Sequence, residues 1–140
     1  AAGNPSPVVV VVAMKGHPGT GKSTLARAVA TALRCPLLDK DDVRDSTLPL
    51  QQALASSSPS APSLLNDLSY SVLWRMTETQ LRLGLSVVVD SPLSRRSHLN
   101  RLLEAARSAR VVVVECRAGD EGEWRRRLEA RGGAAGGAGW

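Results

Sequence analysis

The chain has no phenylalanine, and aromatic residues fill only 3% of its 140 positions. Valine, leucine and alanine must therefore build its core. Two cysteines, Cys35 and Cys116, are too few for a disulfide framework or a cysteine-rich zinc cluster. Each stands in or beside an apolar stretch, so a small core side chain is the expected role. His17 and His98 have no metal-ligand spacing with them. No run approaches the roughly 20 apolar residues of a membrane span. Residues 8–13 are too short for the apolar part of a secretion signal, and no Lys or Arg precedes them. A soluble, cytoplasmic protein without membrane contact is expected. Lysine is scarce as well. Lys15, Lys22 and Lys40 stand alone against arginine, which supplies the other 15 of the 18 basic residues.

What is present is ordinary for a folded domain. Hydrophobic residues make up 43% and charged residues 22%, with a mean hydropathy of -0.10. Such a balance excludes a wholly disordered or collagen-like chain, and the length suits about one domain. The net charge of +5 is unevenly placed, at +1 over residues 1–70 and +4 over residues 71–140. The basic half fits either a surface that steers an anionic partner or a solvated arginine-rich face.

Hydrophobic patterning gives the expected elements. Residues 8–14 are a continuous, mostly β-branched run, the mark of a strand buried on both faces. Leu25, Val29 and Leu33 then fall at i, i+4 and i+8, predicting a helix over one face of a sheet. A short strand over 36–39 leads into the acidic stretch 40–45. Residues 49–63, rich in Ser, Pro, Ala and Gln, have the composition of a mobile insert. Ser63 is the expected N-cap of a helix through Leu83, with Leu65, Leu68, Val72 and Met76 on its apolar face and Gly84 just beyond its end. A third strand over 85–90 ends in Asp90. Ser94 is the expected cap of a helix carrying Leu99, Leu102, Leu103 and Ala106, and 110–116 is a fourth strand. Residues 120–131 are charged and helix-prone, and 132–140 are a Gly/Ala-rich tail expected to be flexible. Strands alternating with helices predict a parallel α/β sheet with helices on both faces.

The decisive motif is Gly16-His17-Pro18-Gly19-Thr20-Gly21-Lys22-Ser23-Thr24, which fits the Walker A pattern G-x-x-x-x-G-K-[ST] between an apolar strand and an amphipathic helix. Glycines there allow successive backbone N–H groups to converge on phosphate oxygens at a helix N-terminus. Lys22 is expected on the β- and γ-phosphates, Ser23 on Mg²⁺, and Thr24 on the α-phosphate. No Asp-x-x-Gly switch follows Asp90, and there is no Asn-Lys-x-Asp motif to read a guanine. No Glu follows Asp90 to activate water, as a motor ATPase would need. A small phosphotransferase remains. Its acceptor side is expected in Leu37-Leu-Asp-Lys-Asp-Asp-Val-Arg44, where a carboxylate could take a hydroxyl proton and Arg44 could hold an anionic acceptor or phosphoryl oxygens.

These residues together resemble one group of kinases in the P-loop nucleoside triphosphate hydrolase superfamily. It is the AAA_33 group, akin to zeta toxin-like kinases and the polynucleotide 5′-hydroxyl kinase domain. The resemblance covers about residues 8–131, treated as one kinase-like domain. It implies a three-layer α/β/α fold on a mainly parallel sheet of about four strands, with ATP and Mg²⁺ as cofactors. It also implies Asp41 as catalytic base, Arg44 as substrate or phosphate ligand, Asp90 on the metal through water, and Arg127 and Arg131 as a lid over the phosphates. The fifth strand usual in this group has no counterpart before Trp140. An uncovered sheet edge is therefore expected, open to a partner chain or to self-association. Three functions stay open at this point. One is γ-phosphoryl transfer to a hydroxyl of a small molecule or nucleic-acid end, another a nucleotide-binding module without turnover, and the third a simple ATPase.

Overall fold

The valine run forms β1 (Val10–Lys15), an inner strand with neighbours on both sides. In the computed structural model, which describes residues 8–117, it is followed by α1 (Lys22–Leu33), β2 (Leu37–Asp39) and α2 (Lys40–Leu54). Then come α3 (Ala61–Arg82), β3 (Val87–Asp90), α4 (Arg96–Ala105) and β4 (Arg110–Glu115). The sheet order is β2-β3-β1-β4, and every pair is parallel. Alternation along β1 divides the core in two. Val11 and Ala13, with Val87 and Val89 of β3, pack against Tyr70, Leu73, Trp74 and Leu81 of α3 and Leu102 of α4. Val12, Met14 and Val88 pack on the opposite face against Ala26 and Ala30 of α1. The result is the expected three-layer α/β/α sandwich on four parallel strands. Among the described residues no helix is long and apolar enough to cross a membrane.

Three helices differ from their expected faces or limits. On α1 the sheet contact is made by Ala26 and Ala30 with Val29, while Leu25 and Leu33 are 41% and 53% exposed. Small side chains let the helix lie close to the valines of β1 and β3, so close approach outweighs side-chain size in choosing the face. On α3, Leu68 and Met76 are exposed, and the buried stripe runs Ala61, Leu65, Ser69, Tyr70, Leu73, Trp74, Thr77 and Leu81. Its Ser69 and Thr77 hydroxyls are satisfied within the helix, Ser69 donating to the Leu65 carbonyl and Thr77 to the Leu73 carbonyl, both at 2.8 Å. That is how polar residues hide in a core face.

Residues 49–63, expected as a mobile insert, are helical except over 55–60. Helix α2 runs through Pro49 to Leu54, and α3 begins at Ala61 with Ser60, not Ser63, as its N-cap. Leu, Gln and Ala after Pro49 are good helix formers, and Pro62 suits a first helical turn. Likewise α4 is entered through Arg95, one residue after Ser94, and β3 begins at Val87, two residues after Leu85. Strand β4 is at an edge of the sheet, and its Val112 and Val113 are 47% and 39% exposed. The helix-prone stretch 120–131 and the tail 132–140 lie outside the described residues.

The rotated face of α1 has a measurable consequence. Leu25→Ala should leave unfolding free energy within about 0.5 kcal/mol of wild type, as for an exposed site. Ala30→Leu should cost about 1–3 kcal/mol by overpacking against β1 and β3. Urea unfolding of the two variants checks the assignment, and the reverse ranking would restore the leucine face.

Candidate nucleotide and acceptor site

The loop between β1 and α1 is shaped by what surrounds it. A Cβ on Gly16 would lie 2.5 Å from the Cys116 carbonyl oxygen, a separation no side chain tolerates, because the end of β4 crosses there. The Gly16 N–H donates to the Pro92 carbonyl at 3.2 Å, so the loop is also tied to the segment leaving β3. Across the loop, Thr20 Oγ1 donates to the His17 carbonyl at 2.8 Å. Gly21 is the N-cap of α1 at φ 81°, which favours glycine. It brings no capping side chain, and the first turn of α1 holds no acidic residue. The positive end of that helix is thus left for an anion.

Helix α2 starts in the opposite way. Asp39 accepts the Asp41 N–H at 2.8 Å as a side-chain cap, and Asp41 and Asp42 fill the first turn. Asp39 ends β2 directly beside Asp90, which ends β3. Burial pushes the Asp39 carboxyl above its usual range, and repulsion from Asp90, Asp41 and Asp42 adds to this against the Asp41 N–H. Asp90 is 1% exposed and forms an ion pair with Lys22 Nζ, which reaches it from the first position of α1. Two carboxylates and an ammonium therefore meet at the carboxyl-terminal edge of the sheet, with Ser23 next along α1 from Lys22.

Behind this edge stands a column of three side chains. The Tyr70 ring of α3 stacks on the His98 ring of α4, with centroids 3.7 Å apart and planes 19° apart. Lys40 Nζ lies 4.7 Å from the Tyr70 centroid and donates to Asn66 Oδ1 at 2.6 Å. Burial raises the Tyr70 hydroxyl to about 12. Hydrogen bonding with Leu93, Ser94 and Ser91 opposes this only in part, and His98 Nδ1 is buried without a partner.

The structure brings some expected residues together and leaves others apart. Gly16, His17, Pro18, Gly19, Thr20 and Gly21 form one continuous loop, followed by Lys22, Ser23 and Thr24 in the first turn of α1. Lys22 and Asp90 are in contact. Asp41 and Arg44 are on the exposed side of α2, where Arg44 pairs with its neighbour Asp45 at 3.4 Å. Arg127 and Arg131 lie outside the described residues. Both cysteines are free and half-buried against the apolar core. Sequence reasoning passed over Asp39, Lys40, Tyr70, Ser91 and His98 as site residues. One signal for Asp39 was available, since Leu-Leu-Asp39 and Val-Val-Asp90 both end an apolar strand in an acid. The Lys40 to His98 column joins residues 58 positions apart and left no local pattern.

Comparison with known proteins agrees with this architecture. The model of the AAA_33 family, an AAA domain, matches residues 11–138. A candidate kinase from Chloroflexus aurantiacus, solved at 1.70 Å, superposes with a TM-score of 0.73 at 25% identity, over 89% of this chain and 66% of that one. A chain of the Pnkp1/Rnl/Hen1 complex gives 0.67 at 19% identity, over 88% of this chain and 40% of that one. The APS kinase of Mycobacterium tuberculosis, solved with AMPPNP and APS, gives 0.63 at 20% identity, over 89% of this chain and 73% of that one. The chain thus spans just under two thirds of the first of these and two fifths of the second. No curated protein matches the sequence.

Two outcomes follow from the buried charges. Lys22→Met strands the Asp90 carboxylate and should lower stability by about 3–5 kcal/mol, whereas Lys22→Met with Asp90→Leu should recover most of that loss. Chemical denaturation of both proteins measures it, and equal stability would mean that the pair is not a buried one. Burial, then the Arg95 and Lys40 charges, hold the His98 pKa below its usual 6.5. Protons then bind the unfolded chain preferentially, so this contribution is intact above about pH 6.5 and is lost as pH falls towards the folded value. Between about pH 7.5 and 5.5, Tm should fall less steeply in His98→Gln than in wild type. Parallel Tm curves would refute the assignment.

Proposed function

The chain belongs to the AAA_33 family of AAA domains, and on that premise we propose that it is an ATP-dependent phosphotransferase. It moves the γ-phosphoryl group to a hydroxyl of a small molecule or a nucleic-acid end. The observation that carries this reading is the meeting of two unlike helix starts at one sheet edge. The uncapped N-terminus of α1 follows a phosphate-type loop, and the carboxylate-rich start of α2 follows Asp39, the neighbour of Asp90. The likeness to the Chloroflexus aurantiacus candidate kinase supports it.

The chemistry divides by element. Backbone N–H groups of Gly19 to Lys22 hold the β-phosphate, and Lys22 leaves Asp90 to neutralise the β- and γ-oxygens. Asp41, in the first turn of α2, takes the acceptor's hydroxyl proton as its oxygen bonds to the γ-phosphorus. The bond from that phosphorus to the β,γ-bridging oxygen breaks in line, and ADP leaves with the bridging oxygen. Arg44, one turn along α2, orients the acceptor. Among the described residues no group of three or more His, Cys, Asp or Glu could hold a metal by itself. The hard oxygen donors Ser23 and Asp90, with Asp39 beside them, suit Mg²⁺, which keeps waters and phosphate oxygens in its shell. When bound it supplies charge neutralisation between the β- and γ-phosphates. Arg127 and Arg131 are proposed as the lid, and ATP and reduced thiols at Cys35 and Cys116 suit a cytoplasmic setting.

Transfer of radiolabelled γ-phosphate to a panel of hydroxyl acceptors tests the proposal. Asp41→Asn should lower transfer about 10²–10⁴-fold with ATP binding retained, and Lys22→Ala should weaken both. Transfer that survives both substitutions would sink this mechanism. Phosphate release without a labelled acceptor would make the chain an ATPase, and ATP binding without either would make it a binding module.

A further inference from the structure

Helix α4 carries a charge imbalance that its own stability does not call for. Arg95, Arg96, Arg101, Arg107 and Arg110 stand against one acid in the same stretch, Glu104. Arg95 is the N-cap and Arg96 the first helical residue, and the first turn holds no acidic residue. Positive side chains there oppose the helix dipole and cost stability. Helix α2 has the stabilising arrangement instead, with Asp41 and Asp42 in its first turn. All five arginines are exposed, and among the described residues none is within ion-pair distance of a carboxylate. Glu104 is three residues from both Arg101 and Arg107, a spacing that allows pairing, yet it pairs with neither. Helix α3, packed against α4, adds the balanced set Asp67, Arg75, Glu78 and Arg82, in which Glu78 is already paired with Arg82. A merely solvated face intersperses both signs.

The arginines are also in line. His98, Leu102 and Ala106 are buried, so Arg96, Asn100 and Leu103, at i, i+4 and i+7, form the outward row, and Arg107 in the next turn continues it. Arg110 then opens β4 at the sheet edge. The row starts beyond the carboxyl end of β3 and leads away from it, towards the amino end of β4. Its composition selects the partner. Leu103, 46% exposed, is its one apolar side chain, and it has no aromatic residue. A protein partner needs buried aromatic or aliphatic anchors, and a membrane needs an apolar helix face, which α4 turns to the core. Guanidinium forks match phosphate oxygens. A helix of ten residues is about 15 Å long, enough for about four phosphates of one duplex strand.

We propose that the outer face of α4, with Arg96, Asn100, Arg101, Arg107 and Arg110, is a docking surface for the phosphodiester backbone of a nucleic acid. Backbone contacts carry no sequence information, so it binds without regard to sequence. This surface is independent of the phosphotransferase reading. A labelled DNA duplex of about 20 base pairs and an RNA strand of similar length are titrated with the full chain across a salt series, followed by anisotropy. Binding of either is expected, with log affinity falling in log salt at a slope of about −3 to −4 on the duplex. Arg96→Gln with Arg107→Gln should weaken it roughly tenfold and flatten the slope by about two. Arg27→Gln with Arg34→Gln removes the same charge from exposed sites on and just after α1, across the sheet, and should leave affinity and slope nearly unchanged. Saturating AMPPNP with Mg²⁺ should not displace the nucleic acid. No binding, equal losses in the two double variants, displacement by AMPPNP, or equal affinity for polyglutamate of the same charge would each overturn the proposal. Failure of AMPPNP itself to bind would count against the phosphotransferase reading alone, and the two double variants would still decide the role of α4.

Discussion

The parallel pairing of β1 with β3, which sets Met14 opposite Asp90, determines where every group of the candidate site lies. Parallel strands deliver all their carboxyl ends to one edge, and in an open α/β sheet that edge is where ligands bind. One more residue beyond Met14 and Lys15 the chain turns at Gly16, so the phosphate loop begins level with Asp90. Lys22, entering α1 six residues later, then reaches back to that carboxylate. A register shift of one residue would turn Asp90 to the other face of the sheet and strand a buried carboxylate. The valines above it guard against such a shift. Val87, Val88 and Val89 are fully buried in alternating contact with both helix layers.

The two helices that open onto this edge solve the same problem in contrary ways. A helix N-terminus presents unsatisfied N–H groups and partial positive charge. Helix α2 answers with its own carboxylates, Asp39 as cap and Asp41 and Asp42 in the first turn. Helix α1 has no capping side chain and no acidic residue in its first turn, and adds Lys22 and the Ser23 hydroxyl. The proposed transfer, with a polyanion at one helix and a proton acceptor at the next, would use this contrast. Its electrostatic cost is concentrated in the crowding of Asp39 against Asp90, and Lys22 relieves it.

Backbone-determined features were legible in the sequence, and side-chain partnerships were not. The valine run, the glycine loop and the strand-ending Asp90 each follow from local chemistry, because a buried parallel strand and a phosphate cradle allow few residue types. The face of α1 was misread because leucine carries more hydrophobicity than alanine, whereas packing against a valine sheet rewards proximity. The break expected over 49–63 was inferred from serine and proline, yet a Pro at 49 removes only one helical donor and the residues after it restore the helix. Lys40 looked like one more charge in an acidic stretch. Only the long return of the chain through α3 and α4 sets Asn66, Tyr70 and His98 around it, and no spacing encodes that.

The segment leaving β3 joins the two halves of the site. Leu93 is fully buried at φ 46°, a left-handed conformation that costs a non-glycine residue about 1 kcal/mol or more. It is held there by the α3 and α4 core cluster. Just before it, the Pro92 carbonyl accepts the Gly16 N–H, and Ser91 and Ser94 face the Tyr70 hydroxyl. One strained turn therefore touches the phosphate loop through its backbone and the Lys40 column through its side chains. A relaxed turn at Leu93 would withdraw either the Pro92 carbonyl from Gly16 or the Leu93 side chain from the core. The buried leucine is thus the anchor that ties the loop to the start of α2, as the proposed in-line transfer would require.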